Sequence, residues 1–304
     1  MLTFDVGGSH VSAAVCLGCD YRLGTVVSAQ YDSVQTSDAF VDLLGRLGKA
    51  AAAGYEDQMG ATLAVPGPFN FQAGTSLMRH KLPFLYGVDL RQALAPRLGC
   101  EPFQVQFLND ADAYLLGEVG AGAARGFGRA VCLTLGTGIG SAFAVDGRVV
   151  TQGPGVPRDG EIWNVPYEGG IVEDFVSARA ISASYLGRTG VTRNAVELAA
   201  DAPGDPAAGE SFAEFGQHLG KVIGTLLADF RADVVVLGGG ISRSAQLFLP
   251  ATRSQLHNHS LVLSVAQLQD QAALVGCGVA WFDGVNGASI PDPAASAFGG
   301  AIPI

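Results

Sequence analysis

Two parts of the chain share one pattern, in which an apolar strand runs through a glycine-rich turn into a second apolar strand. The first part covers residues 2–17 with its turn at residues 5–9, and the second covers residues 130–145 with its turn at residues 136–140. Each pattern predicts a β-hairpin. Because helices and strands alternate after each hairpin, we expect a mixed β-sheet with helices on its faces. The repetition predicts a duplicated α/β fold of two lobes with a ligand cleft between them.

The spacing of apolar residues predicts the remaining elements. Buried strands are expected at residues 61–65, 103–108 and 233–237. Helices are expected at residues 90–98, 172–186, 211–230 and 272–282. A further helix is expected to begin after Ser37 as its N-cap, and another to follow the glycines at 238–240 and run through Leu249. Residues 201–209 are rich in Pro, Ala and Gly and predict a loop. The predicted lobes are residues 1–108 and 109–282, and an Ala/Gly/Pro-rich tail at 283–304 is expected to be irregular or mobile.

Charge and hydropathy exclude several classes of protein. The 304 residues carry a formal net charge of −10 and only three lysines, whereas nucleic acids are bound through clustered basic residues. The first residues have neither the basic start nor the apolar stretch of a signal peptide. No apolar run reaches about 18 residues, the length of a membrane span. We therefore expect a cytoplasmic protein that binds neither nucleic acid nor membrane.

The first glycine turn has the sequence Asp5-Val6-Gly7-Gly8-Ser9. Its glycines allow the backbone to approach an anion such as a phosphate, and Ser9 adds a hydroxyl. Asp5 is a candidate for holding Mg²⁺ through water, because this ion keeps much of its hydration shell. An ordinary tight turn is the alternative interpretation of this segment.

The second glycine turn supplies Gly136, Thr137 and Gly138 as a further phosphate-binding segment. It is not a P-loop, since no Gly-Lys-Ser/Thr ends it, and its third glycine comes too early for the dinucleotide fingerprint. The pattern alone is therefore weak. Together with the first turn it predicts a clamp on the phosphates from two sides.

A third glycine segment, Gly238-Gly239-Gly240, follows a buried strand. It would let the chain turn beneath a flat ring or a ribose. A plain connection from strand to helix is the alternative, although three consecutive glycines are costly without a steric reason.

Asn109 and Asp110 end a buried strand and open a helix. A carboxylate at this junction could be a simple N-cap, and the helix N-terminus favours its ionised form. The same geometry would fix a general base able to take a proton from an attacking hydroxyl. Asp112 is the competing carboxylate, but it falls two residues into the helix and should point away. Asp110 is therefore the predicted base.

A polar cluster precedes and opens the next helix, with Glu161, Asn164 and Glu173 as its candidate ligands. Sugar hydroxyls both donate and accept hydrogen bonds, so carboxylates and amides suit a sugar site. The alternative is a capping acid at Glu173 beside a solvated loop.

These elements, in this order, resemble the ROK family of bacterial sugar kinases (repressors, open reading frames, kinases) within the actin-like ATPase superfamily. The resemblance covers residues 2–282 and implies the two-lobed actin-like ATPase (ribonuclease H-like) fold. By implication Asp110 is the base, Asn109 is a sugar ligand, and Gly67 belongs to the family's Pro-Gly-Pro turn in the sugar site. The three glycine segments match its phosphate and adenosine motifs, although threonine is more usual than Ser9.

Two departures from the family pattern concern the sugar and zinc sites. The family has Glu-x-Gly-His where this chain has Glu161-Ile162-Trp163-Asn164, so asparagine replaces a sugar-binding histidine and an indole replaces a glycine. The family's three-cysteine zinc segment is missing before Glu173. The pair Cys16 and Cys19 has zinc-like spacing, but no second pair follows, so structural roles are expected. We expect no structural zinc.

The predicted function is transfer of the ATP γ-phosphoryl group to a hexose, most simply glucose to glucose 6-phosphate, with Mg²⁺. Other acceptors remain open, namely fructose, mannose, an amino sugar or a cyclitol, as does polyphosphate as the donor. A sugar-sensing regulator is disfavoured because the first phosphate motif begins at Asp5 and leaves no room for a DNA-binding helix-turn-helix. A non-catalytic sugar-binding protein is the remaining alternative. Family members suggest a homo-oligomer, with a dimer expected.

Overall fold

The computed structural model describes residues 1–32, 34–55, 60–258 and 260–284. The chain forms two compact units, one from Met1–Asp110 together with the chain from Cys277 onward, and one from Ala111–Gly276. The predicted second lobe covers residues 109–282, whereas Asn109, Asp110 and the end of the last helix belong to the first unit. Of the predicted tail at 283–304, residues 285–304 lie outside the described residues.

The first unit contains one mixed sheet and a small separate hairpin. Its strands are β1 Leu2–Val6, β2 His10–Leu17, β3 Arg22–Leu23, β4 Val27–Gln30, β5 Ala61–Val65, β6 Phe69–Asn70, β7 Thr75–Ser76 and β8 Val105–Asn109, and its helices are α1 Ser37–Ala51 and α2 Leu90–Leu98. The main sheet has the order β3-β2-β1-β5-β8, and β4 also pairs with β2. Strands β1 and β2 are antiparallel, whereas β1, β5 and β8 run parallel.

The second unit repeats this strand order. Its elements are α3 Asp110–Ala121, β9 Arg129–Leu135, β10 Ile139–Val145, β11 Arg148–Val149, β12 Pro166–Tyr167, β13 Gly170–Ile171, α4 Val172–Phe175, α5 Ala178–Thr189, α6 Ala195–Asp201, α7 Pro206–Leu226, β14 Val234–Gly238, α8 Ala245–Ser254, β15 Val262–Val265 and the start of α9 Ala272–Phe282, which continues into the first unit from Cys277. Its sheet has the order β11-β10-β9-β14-β15, with β9, β14 and β15 parallel. The predicted duplication and mixed α/β class are confirmed. No helix in the described part of the chain is long and apolar enough to cross a membrane.

The main sheet of each unit has an inner strand that is buried along its whole length. All five residues of β5 and all five of β14 are buried, as expected for parallel strands covered by helices on both faces. Phe4, Phe40 and Leu44 fill the core of the first unit, while Phe143 and Phe212 lie in the core of the second. These cores hold the strand ends in fixed positions.

Two predicted helix boundaries were wrong because of capping. Thr36, not Ser37, is the N-cap of α1, and its side chain accepts a hydrogen bond from the N–H of Ala39. The predicted continuous helix at 172–186 is broken at Val176, whose φ of −121° and ψ of 73° are not helical. Ser177 then caps α5 by accepting from the N–H of Ala180 at 3.3 Å.

The predicted loop at 201–209 was wrong over its second half. Asp205 caps α7, and Pro206 takes the first helical position, where a missing N–H costs no hydrogen bond. The helix α6 and the strand β15 were not predicted. Residues Pro102–Gln104 form a 3₁₀ turn ahead of β8, and α8 runs beyond Leu249 to Ser254.

Candidate active site

The first unit brings several predicted site residues to one edge of its sheet. In the parallel pairing Asp5 lies opposite Ala64, and Val65 lies opposite Asn109. The carboxyl ends of β1, β5 and β8 therefore lie side by side, and ligands of open α/β sheets bind at such ends. Gly67 lies two residues beyond the end of β5, and a methyl group on its Cα would have Nδ2 of Asn109 as its nearest neighbour at 4.0 Å.

The first glycine turn connects β1 to β2 and is supported by Tyr31. The N–H of Gly7 donates to the carbonyl of His10 at 2.9 Å, and the N–H of Tyr31 donates to the carbonyl of Ser9 at 3.1 Å. The Tyr31 hydroxyl donates to the carbonyl of Gly7. Burial raises the pKa of Tyr31 to about 12, so the phenol keeps its proton. Around Gly8, no atom of the described residues would contact an added methyl group within 4 Å, so a ligand can reach this backbone.

Asp110 is the first residue of α3 and follows Asn109 at the end of β8. Asp110 and Asp112 are both half-buried, and Ala111 between them is buried. The unpaired N–H groups at a helix N-terminus favour a negative charge there. The junction therefore places Asp110 at the same sheet edge as Gly67 and Asp5, and its role as the base stays a prediction.

The second unit likewise brings two glycine segments together. Gly238 of β14 pairs with Thr134 of β9, so the turn after each strand leaves the same edge of the sheet. Gly239 has a φ of +77°, and a methyl group on its Cα would lie 2.4 Å from the carbonyl oxygen of Leu135. A methyl group on Gly238 would lie 2.5 Å from the ring of Tyr114. The steric reason for these two glycines is therefore internal packing.

Gly240 differs from its two neighbours. It is exposed, and within the described ranges no atom comes within 4 Å of the methyl group that alanine would add. Gly136 is similar, because its nearest such atom is the carbonyl oxygen of Gly138 at 4.0 Å. A ligand could approach both glycines, as it could Gly8, although the N–H of Gly136 already donates to the carbonyl of Gly138 at 2.9 Å.

Glu173 lies against the second glycine turn. Its Oε2 accepts a hydrogen bond from the N–H of Ile139 at 3.3 Å, and its Oε1 accepts from Nη2 of Arg179 at 2.9 Å. A methyl group on Gly138 would lie 2.1 Å from Oε2. The sequence predicted Glu173 as a sugar ligand, and this role stays a prediction. Its contact with the turn was not predicted, because Ile139 lies 34 residues away in the sequence, and its pairing with Arg179 was not predicted either.

The segment that contains Glu161 is fixed to β10 by Ser141. The Ser141 hydroxyl donates to the carbonyl of Gly160 at 2.6 Å and accepts from the N–H of Ile162 at 3.1 Å. Nε1 of Trp163 donates to Oε2 of Glu161 at 2.8 Å. The segment is also joined to the start of α4, where the N–H of Glu173 donates to the carbonyl of Trp163 at 3.0 Å.

Three of the predicted sugar ligands therefore lie on adjoining segments of the second unit. Glu161 and Glu173 flank the backbone of Trp163, and Asn164 is the exposed residue that follows it. The other two predicted ligands, Asn109 and Gly67, belong to the first unit. Ser141 was not predicted, although it is a polar residue in the second strand of the hairpin.

A short hairpin occupies the chain between Asn164 and Glu173. Strands β12 and β13 pair through a turn at Glu168 and Gly169, which have φ values of 48° and 85°. Val172 donates to the carbonyl of Val165 at 3.0 Å and closes the hairpin. Among the residues that the structure describes, no group of three or more His, Cys, Asp or Glu side chains is arranged to hold a metal.

The cysteine pair singled out by its spacing is divided between two environments. Cys16 is buried within β2, and Cys19 is exposed in the following 3₁₀ turn. Burial raises the pKa of Cys16 to about 11, so this thiol does not ionise near neutral pH. Protonated thiols are poor nucleophiles and poor metal ligands.

Comparisons with known proteins agree with this architecture. The ROK family profile matches residues 1–283, and the chain belongs to the ROK family. It is 25% identical over 307 residues to a glucokinase of Streptomyces coelicolor, covering 90% of this chain and 94% of that enzyme. It is 27% identical over 290 residues to the bifunctional enzyme NanE/NanK of Brucella melitensis. That alignment covers 91% of this chain but only 52% of the bifunctional enzyme, so this chain spans about half of its length.

A solved structure shows the same fold. The ROK hexokinase of Thermus thermophilus superposes with a TM-score of 0.76 at 25% sequence identity, covering 92% of this chain and 96% of that one. The predicted actin-like ATPase fold class is confirmed.

Proposed function

We propose that this protein is an ATP-dependent sugar kinase that transfers the γ-phosphoryl group to a hexose, with glucose and its 6-hydroxyl as the primary acceptor. The observation that carries the proposal is the strand-to-helix junction at Asn109 and Asp110, beside Gly67, in a chain of the ROK family. A carboxylate fixed at the end of a buried strand can act on a hydroxyl that an adjacent amide orients.

In this proposal Asp110 takes the proton of the attacking sugar hydroxyl, and the oxygen of that hydroxyl bonds to the γ-phosphorus. The bond from that phosphorus to the bridging oxygen breaks, and ADP leaves. Phosphoryl transfer depends mostly on positioning and on neutralisation of charge. Asp5 supplies a half-buried carboxylate oxygen at the same sheet edge, a donor type that suits Mg²⁺. Bound through water near Asp5, Mg²⁺ would neutralise charge on the phosphates.

The glycine segments divide into two roles. Gly8, Gly136 and Gly240 have open backbone faces and are the proposed points of approach for phosphate and ribose. The hydroxyls of Ser9 and Thr137 adjoin them and can donate further hydrogen bonds. The remaining members shape the turns, and they are Gly7, Gly138, Gly238 and Gly239.

The proposed sugar ligands supply donors and acceptors of both kinds. Glu161 and Glu173 accept hydrogen bonds from hydroxyls, whereas Asn109 and Asn164 can both donate and accept. Glu173 also contacts the second turn through Ile139, so it would connect acceptor binding to the shape of a phosphate-binding segment.

A second candidate is the same reaction on a different acceptor, such as mannose, fructose, an amino sugar or a cyclitol. It is favoured by the replacement of the family's Gly-His by Trp163-Asn164. Asparagine is shorter than histidine and cannot carry charge, so the hydroxyl that it selects can differ.

A coupled ADP-release assay with Mg-ATP tests both candidates. The acceptors are glucose, mannose, fructose, glucosamine, N-acetylmannosamine and a cyclitol, and polyphosphate replaces ATP in a second series. We expect glucose to give the highest kcat/KM. A higher value for another acceptor would favour the second candidate. Sugar binding by calorimetry without ADP release on any acceptor would contradict the proposal and indicate a non-catalytic sugar-binding protein.

A further inference from the structure

Trp163 occupies an unusual position among the polar residues of the second unit. Its backbone carbonyl accepts from Glu173, and the preceding Ile162 is held by Ser141, so the side chain starts from a fixed point. Its Nε1 donates to Oε2 of Glu161 at 2.8 Å. Yet 39% of Trp163 is exposed, whereas the chain's other tryptophan, Trp281, is only 7% exposed and lies in a core.

The hydrogen bond fixes the orientation of the Glu161 carboxylate. An indole N–H is a donor only and an ionised carboxylate is an acceptor only, so the bond has one possible direction. With Oε2 engaged, Oε1 remains to accept from a sugar hydroxyl. A glycine at position 163 would leave the carboxylate free to rotate.

The exposed ring adds a second property to the segment. Indole combines an apolar face with a polar edge, and such rings are frequent at binding sites where a ligand is itself partly apolar. A neutral hexopyranose has C–H groups on its ring faces and hydroxyls at its rim. The edge of Trp163 holds Glu161, and the exposed part of its ring is available to contact those C–H groups.

We propose that Trp163 determines acceptor specificity by orienting Glu161 and by contacting the ring face of a neutral, unsubstituted hexose. The indole fills space where the family pattern has glycine, and acceptors that carry an N-acetyl group are therefore disfavoured. This inference rests on the proposed sugar kinase function, because it assigns the acceptor class of the same site.

The test combines binding and turnover in the full-length protein. Glucose is titrated into wild type, Trp163→Phe, Glu161→Gln and the double variant by calorimetry, and tryptophan emission is recorded in parallel. Phe103→Leu is the control, since Phe103 is an exposed aromatic residue at the opposite end of β8 from Asn109. Thermal unfolding shows whether each variant is folded. Trp163→Gly is then assayed with glucose and N-acetylglucosamine.

We expect Trp163→Phe, which keeps a ring but loses the donor, to weaken glucose binding about three- to tenfold. The double variant should bind within about twofold of Glu161→Gln alone, because the two residues act through one hydrogen bond. Glucose should change the emission of wild type but not of Trp163→Phe. Trp163→Gly should lower the preference for glucose over N-acetylglucosamine about tenfold or more.

Two results would overturn the inference in different ways. If wild type binds and phosphorylates glucose, but Trp163→Phe behaves like Phe103→Leu and Trp163→Gly keeps the wild-type preference for glucose, Trp163 has no role in the site and the kinase proposal stands. If wild type binds no hexose and turns none over, the proposed function itself fails, and this inference fails with it.

Discussion

The two units have the same strand order but different chemistry at corresponding strand ends. In the first unit the last strand, β8, ends at Asn109 and is followed by Asp110, whereas in the second the last strand, β15, is followed by the buried Ala266. The nearby carboxylate of the second unit, Glu118, is fully buried and accepts hydrogen bonds from the backbone. The comparison shows that the two copies of one scaffold place carboxylates differently, half-buried at the end of the last strand in the first unit and fully buried against backbone N–H groups in the second.

The two glycine turns differ in a similar way. Each is the first hairpin turn of its unit, but the first is supported by the neutral phenol of Tyr31 and the second by the carboxylate of Glu173. Glu173 is in turn paired with Arg179, whose side chain is mostly exposed. Similar glycine motifs can therefore depend on unrelated supporting contacts.

The largest expected effect tests the carboxylate that distinguishes the first unit. Replacing Asp110 by Asn should lower kcat about 10²–10⁴-fold while leaving the Kd for glucose nearly unchanged, because the amide cannot take the proton. Asp112→Asn is the matched control and should retain near wild-type turnover. ADP release and calorimetry provide the two measurements. A larger loss in Asp112→Asn than in Asp110→Asn would identify Asp112 as the base.

The next largest effect is expected when Gly239 and Gly240 of the second unit are each replaced by alanine. Gly239→Ala should lower the free energy of unfolding by about 2–4 kcal/mol, because the residue has a positive φ and its methyl group would strike the Leu135 carbonyl. Gly240→Ala should change it by less than about 0.5 kcal/mol but weaken nucleotide binding. Urea unfolding and nucleotide titration measure these effects. Equal stability of the two variants would contradict the assignment of structural and ligand-facing glycines.

Glu118 tests the structural role of the carboxylate in the second unit. Its Oε2 accepts from the N–H groups of Ala123 and Gln267 at 2.7 and 3.1 Å, and its Oε1 accepts from Leu268 at 2.8 Å. Glu118→Gln should lower the free energy of unfolding by about 1–3 kcal/mol, because an amide NH₂ would face backbone donors.

Glu197→Gln is the matched control for Glu118. Glu197 is exposed and accepts one hydrogen bond, from the N–H of Asn194 at 3.0 Å, in a capping box that tolerates glutamine. The free energy of unfolding of the Glu197→Gln variant, measured in urea, should stay close to that of wild type. If Glu118→Gln is as stable as Glu197→Gln, the buried carboxylate does not stabilise the segments at Ala123 and at Gln267–Leu268.

The smallest expected effect is a pH dependence that arises in the second unit. In that unit α7, the helix that leads into β14, carries His218. Helix α1 leads into β5 at the corresponding place of the first unit and has no histidine. His218 packs against Tyr167 and Phe175 and shares a 2.9 Å hydrogen bond with the Tyr167 hydroxyl. Burial, assisted by Lys221, lowers the pKa of His218.

The sign of the effect follows from that pKa. Because the unfolded chain binds this proton more readily, stability should fall as the pH drops through about 6.5, the ordinary histidine value, toward the lower folded value. His218→Gln should flatten this part of the profile, and His257→Gln, at an exposed histidine, should not. Thermal unfolding between pH 5 and pH 8 provides the measurement. Identical slopes for all three proteins would exclude His218 as the source.

Elements with strong local signals were predictable from the sequence. The strand at 61–65 is an apolar run that ends at a proline. The helix at 90–98 lies between Asp89 and Gly99 as its caps, and the helix at 272–282 is almost wholly apolar, so all three were predicted with the bounds observed. The seven-residue helix α6 was missed because so short a segment shows little periodicity. Pro206 was read as part of a loop, although proline at a first helical position also starts a helix.

The candidate site divides in the same way. The glycines, Asn109 and Asp110 were predictable, because each lies where a strand ends and a turn or helix begins. The residues that support them were not, since Tyr31 lies 24 residues from Gly7, and Glu173 lies 34 residues from Ile139. Such contacts depend on how the sheets and helices pack, and no local pattern records them.

The most direct test of the central claim is to identify the products. Wild-type protein is incubated with glucose and Mg-ATP, and ³¹P NMR follows ATP, ADP and any sugar phosphate, with Asp110→Asn as the comparison. The account predicts that glucose 6-phosphate and ADP accumulate in equal amounts with wild type and far more slowly with the variant. Release of ADP and inorganic phosphate without a sugar phosphate, or equal rates for the two proteins, would contradict it.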